Sequence, residues 1–428
     1  MMIGTRLFNV GLRSLTLGVR FLFIFFLARY LTPETVGYYG LFTATVGYCL
    51  YFVGLDFYTY LTREILKSPQ DRRGGLLKAQ AGLSASLFLV LIPVALIALP
   101  YAGWPPALLW WFLPILLFEY LNQEIYRLLI ALSRQIPASI LLFMRQGSWA
   151  IATLLVMGMM PEARNLHVLM AFWGISGLMT AMLGLLLIHH LRLGGWRDTI
   201  DWRWLWRGIF VSAAFLVATL ALRGMQTLDR YWLESLGGIE SVAAYVLFLG
   251  VAGTLLTFLD AGVFAFGYPE LIHQHNIGDT DATRTTLRKM LIQTLIISAG
   301  FGIASWLALP YLLDWIGKPV YEDRREIFPL LVLAMIVNAL GMIPHYALYA
   351  SRRDRPIIHS HLASLAAFVL TTWLLALTLP QGKLELAIPL ALNAGFLLIL
   401  LWKTLALLFP RGADPASQSS QPTMANFK

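Results

Sequence analysis

Twelve long apolar segments constrain this chain more than any other feature. Hydrophobic residues make up 58% of the sequence and charged residues only 13%, whereas a soluble domain carries about 25% charged residues. Each segment has about the 20 residues that a helix needs to cross a bilayer, and none alternates as barrel strands do. The sequence therefore predicts an all-α, polytopic membrane protein. The predicted spans are residues 8–31, 36–60, 80–99, 107–130, 138–160, 167–190, 207–233, 241–265, 289–316, 327–350, 357–379 and 386–409.

Basic residues in the connections predict how the spans are oriented. Most of them lie on the side of the two termini, and Lys403, near the end of the last span, is assigned to that side. The positive-inside rule then predicts that both termini are cytoplasmic. The opposite connections hold five basic residues, which are Arg164, Lys318, Arg324, Arg325 and Lys383.

The two halves of the sequence resemble each other. The RYL of residues 29–31 corresponds to the RYW of 230–232, and the SRQIP of 133–137 corresponds to the SRRDRP of 351–356. Six spans is an even number, so the halves keep the same orientation. This pattern predicts two pseudo-symmetric six-helix bundles, related by an axis along the membrane normal, with the substrate path between them.

The predicted domain boundaries follow from this repeat. Residues 1–190 form the N-terminal bundle and residues 207–409 the C-terminal bundle. Residues 191–206 between them are rich in Trp and Arg, and we interpret them as an interfacial linker helix on the inner leaflet. Residues 410–428 are polar and rich in Ser, Gln and Pro, which indicates a disordered cytoplasmic tail.

The first span carries arginines where a membrane helix should have none. Arg6, Arg13 and Arg20 are spaced seven residues apart and so share one helix face. Charge inside a bilayer usually faces a bundle interior or an aqueous cavity, although side chains near an end reach the headgroups instead. We interpret Arg6 as reaching the headgroups, leave Arg13 open between the two, and assign Arg20 to a cationic cavity.

Further charges lie within the other spans. Arginines there outnumber the clearly mid-span acids, Glu119 and Glu124, and an excess of deep positive charge favours an anionic ligand such as a phosphate. For Arg29, Arg230, Asp229 and Asp56, near span ends, we prefer the interpretation that they form structural ion pairs between helices. The second repeat match aligns Arg127 with His345.

The candidate site residues fall into three groups. The candidate cavity cations are Arg13, Arg20, Arg127, Arg145, Arg223 and Arg230. The candidate coupling or charge-balancing acids are Glu124, Glu119, Asp56, Asp229 and Asp260, and the candidate polar residues are Gln226 and His345.

Several function classes lack their motifs. No GxxxxGK[ST] loop for ATP phosphates occurs, and the histidines have no convincing third metal ligand, so we predict neither a cofactor nor a metal. The triplet 279–281 (DTD) is interpreted as a helix cap rather than as a metal–nucleotide motif. With no room for a large catalytic loop, the sequence does not predict an enzyme, and no nucleic acid partner is expected. The single Cys49 excludes an internal disulfide.

Three stretches resemble the Wzx-type polysaccharide flippases: 29–42 (RYLTPETVGYYGLF), 228–245 (LDRYWLESLGGIESVAAY) and 348–356 (LYASRRDRP). These flippases belong to the MOP superfamily, together with the MATE exporters and the lipid II flippases. The resemblance implies two six-helix bundles in a V and a bacterial inner-membrane location. It implies an undecaprenyl-diphosphate-linked oligosaccharide as substrate, as in O-antigen and lipopolysaccharide biosynthesis, with a polysaccharide polymerase and a chain-length regulator as protein partners. The implied positive lumen matches Arg13, Arg20 and Arg223.

The first hypothesis is therefore a flippase that moves a lipid-linked oligosaccharide by alternating access. Whether H⁺ or Na⁺ is exchanged is left open, and Glu124 is the candidate coupling carboxylate. The alternative is a cation-coupled MATE-class exporter of drugs or metabolites, which predicts a cavity dominated by acidic residues. A membrane glycosyltransferase or polymerase is a third hypothesis, and it requires a role for Asp279 or Asp281.

Overall fold

The computed structural model describes residues 2–409, except for the side chains of residues 2–7 and 214. The predictions for Arg6 and for the tail at 410–428 lie outside the described part. The described secondary structure is helical, as predicted. Its helices are α1 Met2–Tyr30, α2 Pro33–Gly54, α3 Tyr58–Lys67, α4 Gln70–Tyr101, α5 Pro106–Ala131, α6 Gln135–Phe143, α7 Trp149–Met159, α8 Leu166–His190, α9 Trp202–Gly237, α10 Ile239–Leu259, α11 Ala265–Asn276, α12 Thr280–Ile316, α13 Pro319–Asp323, α14 Ile327–Ala350, α15 Asp354–Thr378 and α16 Ala387–Leu408.

The helices account for the predicted spans. Within residues 2–409, ten helical segments are long and apolar enough to cross a membrane. The two parts of α9, bent by 52°, make an eleventh if they are one span. The remaining long helix, α5, has 26 residues and contains Glu119, Glu124 and Arg127. The structure is therefore consistent with the predicted twelve spans.

Within residues 2–409, two short π-helical segments interrupt the spans, and both hold predicted site residues. Met144–Ser148 joins α6 to α7 and contains Arg145, and Asp260–Phe264 joins α10 to α11 and begins at Asp260. Such widened turns are rare and occur frequently at functional sites. Asp260 lies near the end of the predicted span 241–265, but the helix continues to Asn276, so Asp260 lies in the middle of a 38-residue helical segment.

Local signals set several helix ends. Thr32 accepts a hydrogen bond from the backbone N–H of Thr35 at the start of α2, and Asn165 caps α8 in the same way. Asp279 accepts from the backbone N–H of Ala282 at the start of α12, so its interpretation as a helix cap is confirmed. Leu55 and Asp56 have φ of 48° and 50°, which ends α2 at Gly54, earlier than the predicted span end.

The linker between the halves differs from its prediction. Residues 191–201 form turns and extended chain, and the helix begins only at Trp202. It begins there because the Asp201 side chain accepts hydrogen bonds from the backbone N–H groups of Arg203 and Trp204. The predicted helix over 191–206 is therefore wrong for its first eleven residues.

The turns after α5 and α14 have the same geometry, as expected for a repeat. Ser133 and Arg352 both have left-handed φ, of 59° and 56°. In each turn, the N–H of that residue bonds to a carbonyl three residues back, and the next N–H bonds to one five residues back. Ser133 thus corresponds to Arg352, an offset of one residue from the sequence match. By this offset the counterpart of Arg127 is Tyr346 rather than His345.

Helices α1–α8 pack mainly on each other, as do α9–α16, and the two groups meet along α2, α9 and α10. The closest approach is near the starts of α2 and α10. A Cβ on Gly37 would lie under 3.0 Å from the Ile239 backbone oxygen, and one on Gly40 would lie under 3.0 Å from Val246. We call the side where α2 and α10 begin the closed side, and the side where α16 ends the terminal side.

Replacing Gly37 by Ala is expected to separate the bundles at the closed side, because the atom that the new methyl group meets is backbone and cannot rotate away. Spin labels at Ala107→Cys and Gly382→Cys, in a Cys49→Ala background, report the separation as a distance distribution. These two positions lie on the closed side of different bundles. Gly253→Ala is the matched control, since nothing lies within 4 Å of a Cβ there. Equal distributions for both variants would contradict this expectation.

Candidate functional site

A cavity of about 440 Å³ lies between the two helix groups, beneath the closed side. Both halves contribute to its wall: α1, α2, α5, α7 and α8 with the π segment Met144–Ser148 from the N-terminal half, and α9 and α10 from the C-terminal half. Four of the predicted site residues line it, which are Arg20, Arg145, Arg230 and Glu119. An inter-bundle cavity of this kind is where the sequence predicted the substrate path.

Arg20 is the exposed cation of this cavity. Its Nη1 donates a hydrogen bond of 3.0 Å to the Oε1 of Gln146, and no carboxylate within residues 2–409 forms an ion pair with it. Arg20 lies ten residues before the end of α1, about 15 Å below the closed side. A guanidinium at that depth without an acid partner is able to bind an anion.

Arg145 is instead held by a carboxylate. Its Nε and Nη2 donate to the Oε2 of Glu119 at 2.6 and 2.5 Å, and Nη2 also donates to Gln123 at 3.2 Å. The other Glu119 oxygen accepts from the Trp173 indole at 2.8 Å. Both charges are buried, with 8% and 10% side-chain exposure, so this pair adds no net charge to the cavity.

The π segment leaves carbonyl groups that side chains satisfy. The Met144 carbonyl accepts from the hydroxyls of Ser148 and Ser176, and the Arg145 carbonyl accepts from the Trp149 indole. The segment is therefore anchored to α7 and α8, which fixes the direction of the Arg145 side chain.

Arg230 brings a second cation from the opposite half. Its Nη1 donates to the Gln226 carbonyl at 2.9 Å and lies 3.9 Å from Asp229. Asp229 is 1% exposed and accepts from the Tyr245 hydroxyl and from the Arg230 N–H. The expected ion pair is present, but it is long, and Arg230 also lines the cavity.

Aromatic side chains form much of the remaining wall. Trp149 and Trp173 stack with ring centroids 5.3 Å apart and an interplanar angle of 4°. Tyr39 and Phe23 pack on their edges, and all four residues line the cavity. Their role was not predicted, because no periodic signal in the sequence distinguishes these four aromatic residues from the others in the spans.

A second polar group lies nearer the terminal side. Arg127 pairs with Glu124 at 2.7 Å and stacks over Tyr58, with its Cζ 3.6 Å from the ring centroid. Glu124 also accepts a hydrogen bond of 2.6 Å from Gln80. Asp56 is near Arg127 and Arg223: burial raises the pKa of its carboxyl, while a hydrogen bond from Thr219 and these two cations act in the opposite direction.

Arg223 belongs to the same region and is exposed. It donates to Gln226 at 3.1 Å and lies over Tyr51 at 5.3 Å, and no acid within the described residues forms an ion pair with it. Arg13 is likewise exposed and donates to Ser139 at 3.3 Å. Among the predicted cavity cations, Arg127 and Arg145 are thus paired with acids, whereas Arg20 and Arg223 are not.

His345 does not line the cavity, contrary to its prediction. It lies inside the C-terminal half, where its Nδ1 is 3.1 Å from the Nζ of Lys403. The same Nζ is 3.1 Å from the Nε2 of His361. Lys403 was assigned to the side of the termini and His361 was given no role, yet both are buried within helices. Lys403 lies inside a predicted span, which is the signal that could have found it.

Two basic residues fasten the halves together at the closed side. Arg29 donates to the Trp315 carbonyl and lies 4.5 Å from the centre of its ring. Lys318, before α13, donates to the carbonyls of Ala28 and Leu31 at the end of α1. We call these contacts the closed-side latch.

The latch is expected to become tighter as the pH rises above 8. Burial lowers the Lys318 pKa from 10.5 to about 8, and an open arrangement would restore the ordinary value. Between pH 8 and 10.5 the closed arrangement therefore binds fewer protons, so rising pH favours it. Below pH 8 Lys318 is protonated in both arrangements, and the closed fraction no longer depends on pH through this residue.

The spin-label pair at residues 107 and 382 measures this trend, which Lys318→Met should abolish. Lys383→Met, at an exposed lysine paired with Glu326, should leave it intact, and a trend that survives Lys318→Met would contradict the assignment.

No protein-family model matches the sequence, and no curated protein matches it. Several solved structures, in contrast, are similar to this chain. An inward-facing multidrug resistance MATE family transporter of the MOP superfamily is similar with a TM-score of 0.76 at 11% identity, over 96% of this chain and 100% of that chain. The lipid II flippase MurJ, in an inward closed conformation, is similar with a TM-score of 0.73 at 12% identity, over 92% and 87%.

An outward-facing MATE family transporter gives a lower TM-score of 0.57 at 12% identity, over 94% of this chain and 93% of that chain. The chain thus has the fold shared by MATE transporters and MurJ, and the predicted MATE-like, all-α fold is confirmed. These structural relatives are transporters and a flippase.

Proposed function

We propose that this protein is a flippase that carries an undecaprenyl-diphosphate-linked oligosaccharide across a bacterial inner membrane by alternating access. The observation that carries the proposal is the unpaired Arg20 in the inter-bundle cavity, with Arg230 on the opposite wall. Arginine binds phosphate oxygens with two parallel hydrogen bonds, and a diphosphate offers enough oxygens for both side chains.

The aromatic wall supports the glycan part of the proposal. The flat faces of Trp149 and Trp173, close to cationic and amide groups, combine an apolar surface with hydrogen-bonding partners. Such a combination suits sugar rings, which have apolar faces and polar edges. Only the headgroup needs to enter the cavity of about 440 Å³ in order to cross. The polyprenyl chain would therefore stay in the lipid between the two bundles.

The twelve-span topology with cytoplasmic termini is part of the proposal. In that orientation the closed side is periplasmic, and the headgroup enters from the cytoplasm past Arg13, Arg127 and Arg223. Separation of the bundles at the latch then exposes it to the periplasm. If net negative charge crosses, the membrane potential assists by about 2.3 kcal/mol per charge per 100 mV.

A cation-coupled exporter of the MATE class is the second candidate, favoured by the similarity to MATE transporters and by the acid Glu119 in the cavity wall. Against it, both Glu119 oxygens are occupied by Arg145 and Trp173, so this acid is not free to attract a cationic drug. The enzyme hypothesis has no support, since Asp279 serves as a helix cap.

Reconstitution distinguishes the two candidates. Proteoliposomes carrying a fluorescent undecaprenyl-diphosphate disaccharide are treated with an impermeant quencher, and the fraction that becomes accessible is followed over time. We expect faster flipping with the protein than in empty liposomes, and no increased resistance to cationic drugs when the protein is expressed in an exporter-deficient strain. Drug resistance without flipping would overturn the proposal.

A further inference from the structure

Three basic side chains meet in the interior of the C-terminal half: Lys403 of α16, His345 of α14 and His361 of α15. The Nζ of Lys403 is 3.1 Å from one ring nitrogen of each histidine. The two imidazole rings are nearly parallel, with an interplanar angle of 5° and centroids 6.2 Å apart. Lys403 is 2% exposed and His361 8% exposed. We call these residues the basic cluster.

No acid balances the basic cluster within residues 2–409. The elements packed on α16 around Lys403 contribute His345 from α14, His361 from α15 and, from α9, the backbone of Ala218 beside His361. The first two turns of α15 also carry Asp354, Arg355 and His359, and Asp354 lies seven residues before His361, about 10 Å along the helix. The charges nearest the other end of α16, Lys383 and Glu385, pair with Glu326 and Arg324 and lie at least 18 residues away, about 27 Å along a helix. An uncompensated buried charge is expensive and marks a functional residue by default.

The geometry limits how many protons the cluster holds. A protonated Lys403 donates to the Nδ1 of His345 and the Nε2 of His361, which requires both nitrogens to be free of hydrogen. A second proton, transferred from hydronium to either nitrogen, forms an N–H bond there, leaves water, and removes the acceptor of one hydrogen bond. It also places two positive charges about 3 Å apart. The closed packing of α14, α15 and α16 is therefore compatible with at most one positive charge on the cluster, the charge of a protonated Lys403.

We propose that the basic cluster is a proton-binding site, and that uptake of a second proton loosens α16 from α14 and α15 and shifts the C-terminal bundle relative to the N-terminal one. The site lies near the terminal side, five residues before the ends of α14 and α16, about 8 Å along each helix. This inference rests on the proposed transport function, for which it names the proton as the coupling ion. Glu124, the coupling carboxylate expected from the sequence, is paired with Arg127 and bonded to Gln80.

The test needs no substrate. The spin-label pair at residues 107 and 382 is measured in purified full-length protein between pH 7.5 and 5, below the range in which Lys318 titrates. We expect at least a twofold change in the ratio of the two distance populations for the unaltered cluster. Lys403→Met, which keeps the length of the side chain but not its charge, should abolish that change, and Lys383→Met should not.

His361→Gln provides a second measurement that does not depend on whether Lys403→Met folds. It leaves Lys403 in place and removes one titrating acceptor, so the pH response should fall to half or less. A pH response that persists unchanged in Lys403→Met or His361→Gln would overturn the proposal, as would its absence from the unaltered protein. This result can be distinguished from a failure of the proposed flippase function, because a protein that does not flip the glycan would still show the pH response.

Discussion

Replacing Arg20 by Ala is expected to slow flipping of a diphosphate-linked glycan by about 10- to 150-fold, because a hydrogen bond to a charged group contributes about 1.5–3 kcal/mol. The side chain is exposed to the cavity and makes one hydrogen bond within the protein, to Gln146. Its removal should therefore leave the fold unaffected. Initial flipping rates in proteoliposomes measure the effect.

Two further variants serve as controls for the slower flipping expected of Arg20→Ala. Arg20→Lys keeps the charge but cannot form two parallel hydrogen bonds, so we expect an intermediate rate. Arg325→Ala removes an arginine whose side chain is 65% exposed and pairs with Glu322, and its rate should match that of the unaltered protein. Undiminished flipping by Arg20→Ala would remove the cationic-site hypothesis.

The second large effect concerns stability rather than transport. Replacing Glu119 by Leu leaves the buried Arg145 without its carboxylate, and removing one partner of a buried ion pair costs about 3–5 kcal/mol. Trp173 also loses its acceptor. The double variant Glu119→Leu, Arg145→Met removes both charges together, and we expect it to regain most of the lost stability.

Thermal unfolding in detergent measures these variants side by side. Arg325→Met breaks the exposed pair with Glu322, and exposed pairs contribute only about 0–1 kcal/mol, so its unfolding temperature should hardly change. If the double variant were as unstable as Glu119→Leu alone, the charge imbalance would not be the cause, and packing around Trp173 would be.

The spans could be predicted because their physical signal is local. Runs of about twenty apolar residues, Thr32 and Asn165 as caps, and the positive-φ turns at Ser133 and Arg352 act within a few residues of chain. The linker prediction failed for a related reason. Its Trp and Arg pattern suits an interfacial helix, but the cap at Asp201 sets where the helix begins.

The partners of the charged residues could not be predicted, because they come from distant parts of the chain. Glu119 and Arg145 are 26 residues apart, and Glu119 and Trp173 are 54 apart. Counting acids against arginines correctly indicated an excess of cations but assigned it to too many residues. His345 was misplaced because a register error of one residue in a repeat rotates a helical position by about 100°.

The π segment at Arg145 has a consequence for how this wall tolerates length changes. A π turn contains one residue more than an α turn, so the cavity wall depends on an inserted residue rather than on a substituted one. Deleting Gly147 would let the segment close into an ordinary α turn and leave α6 and α7 in register on either side. The widened turn that holds Arg145 against Glu119 and Gln123 would nevertheless be lost, and an alignment that treats such a gap as neutral would overlook the loss.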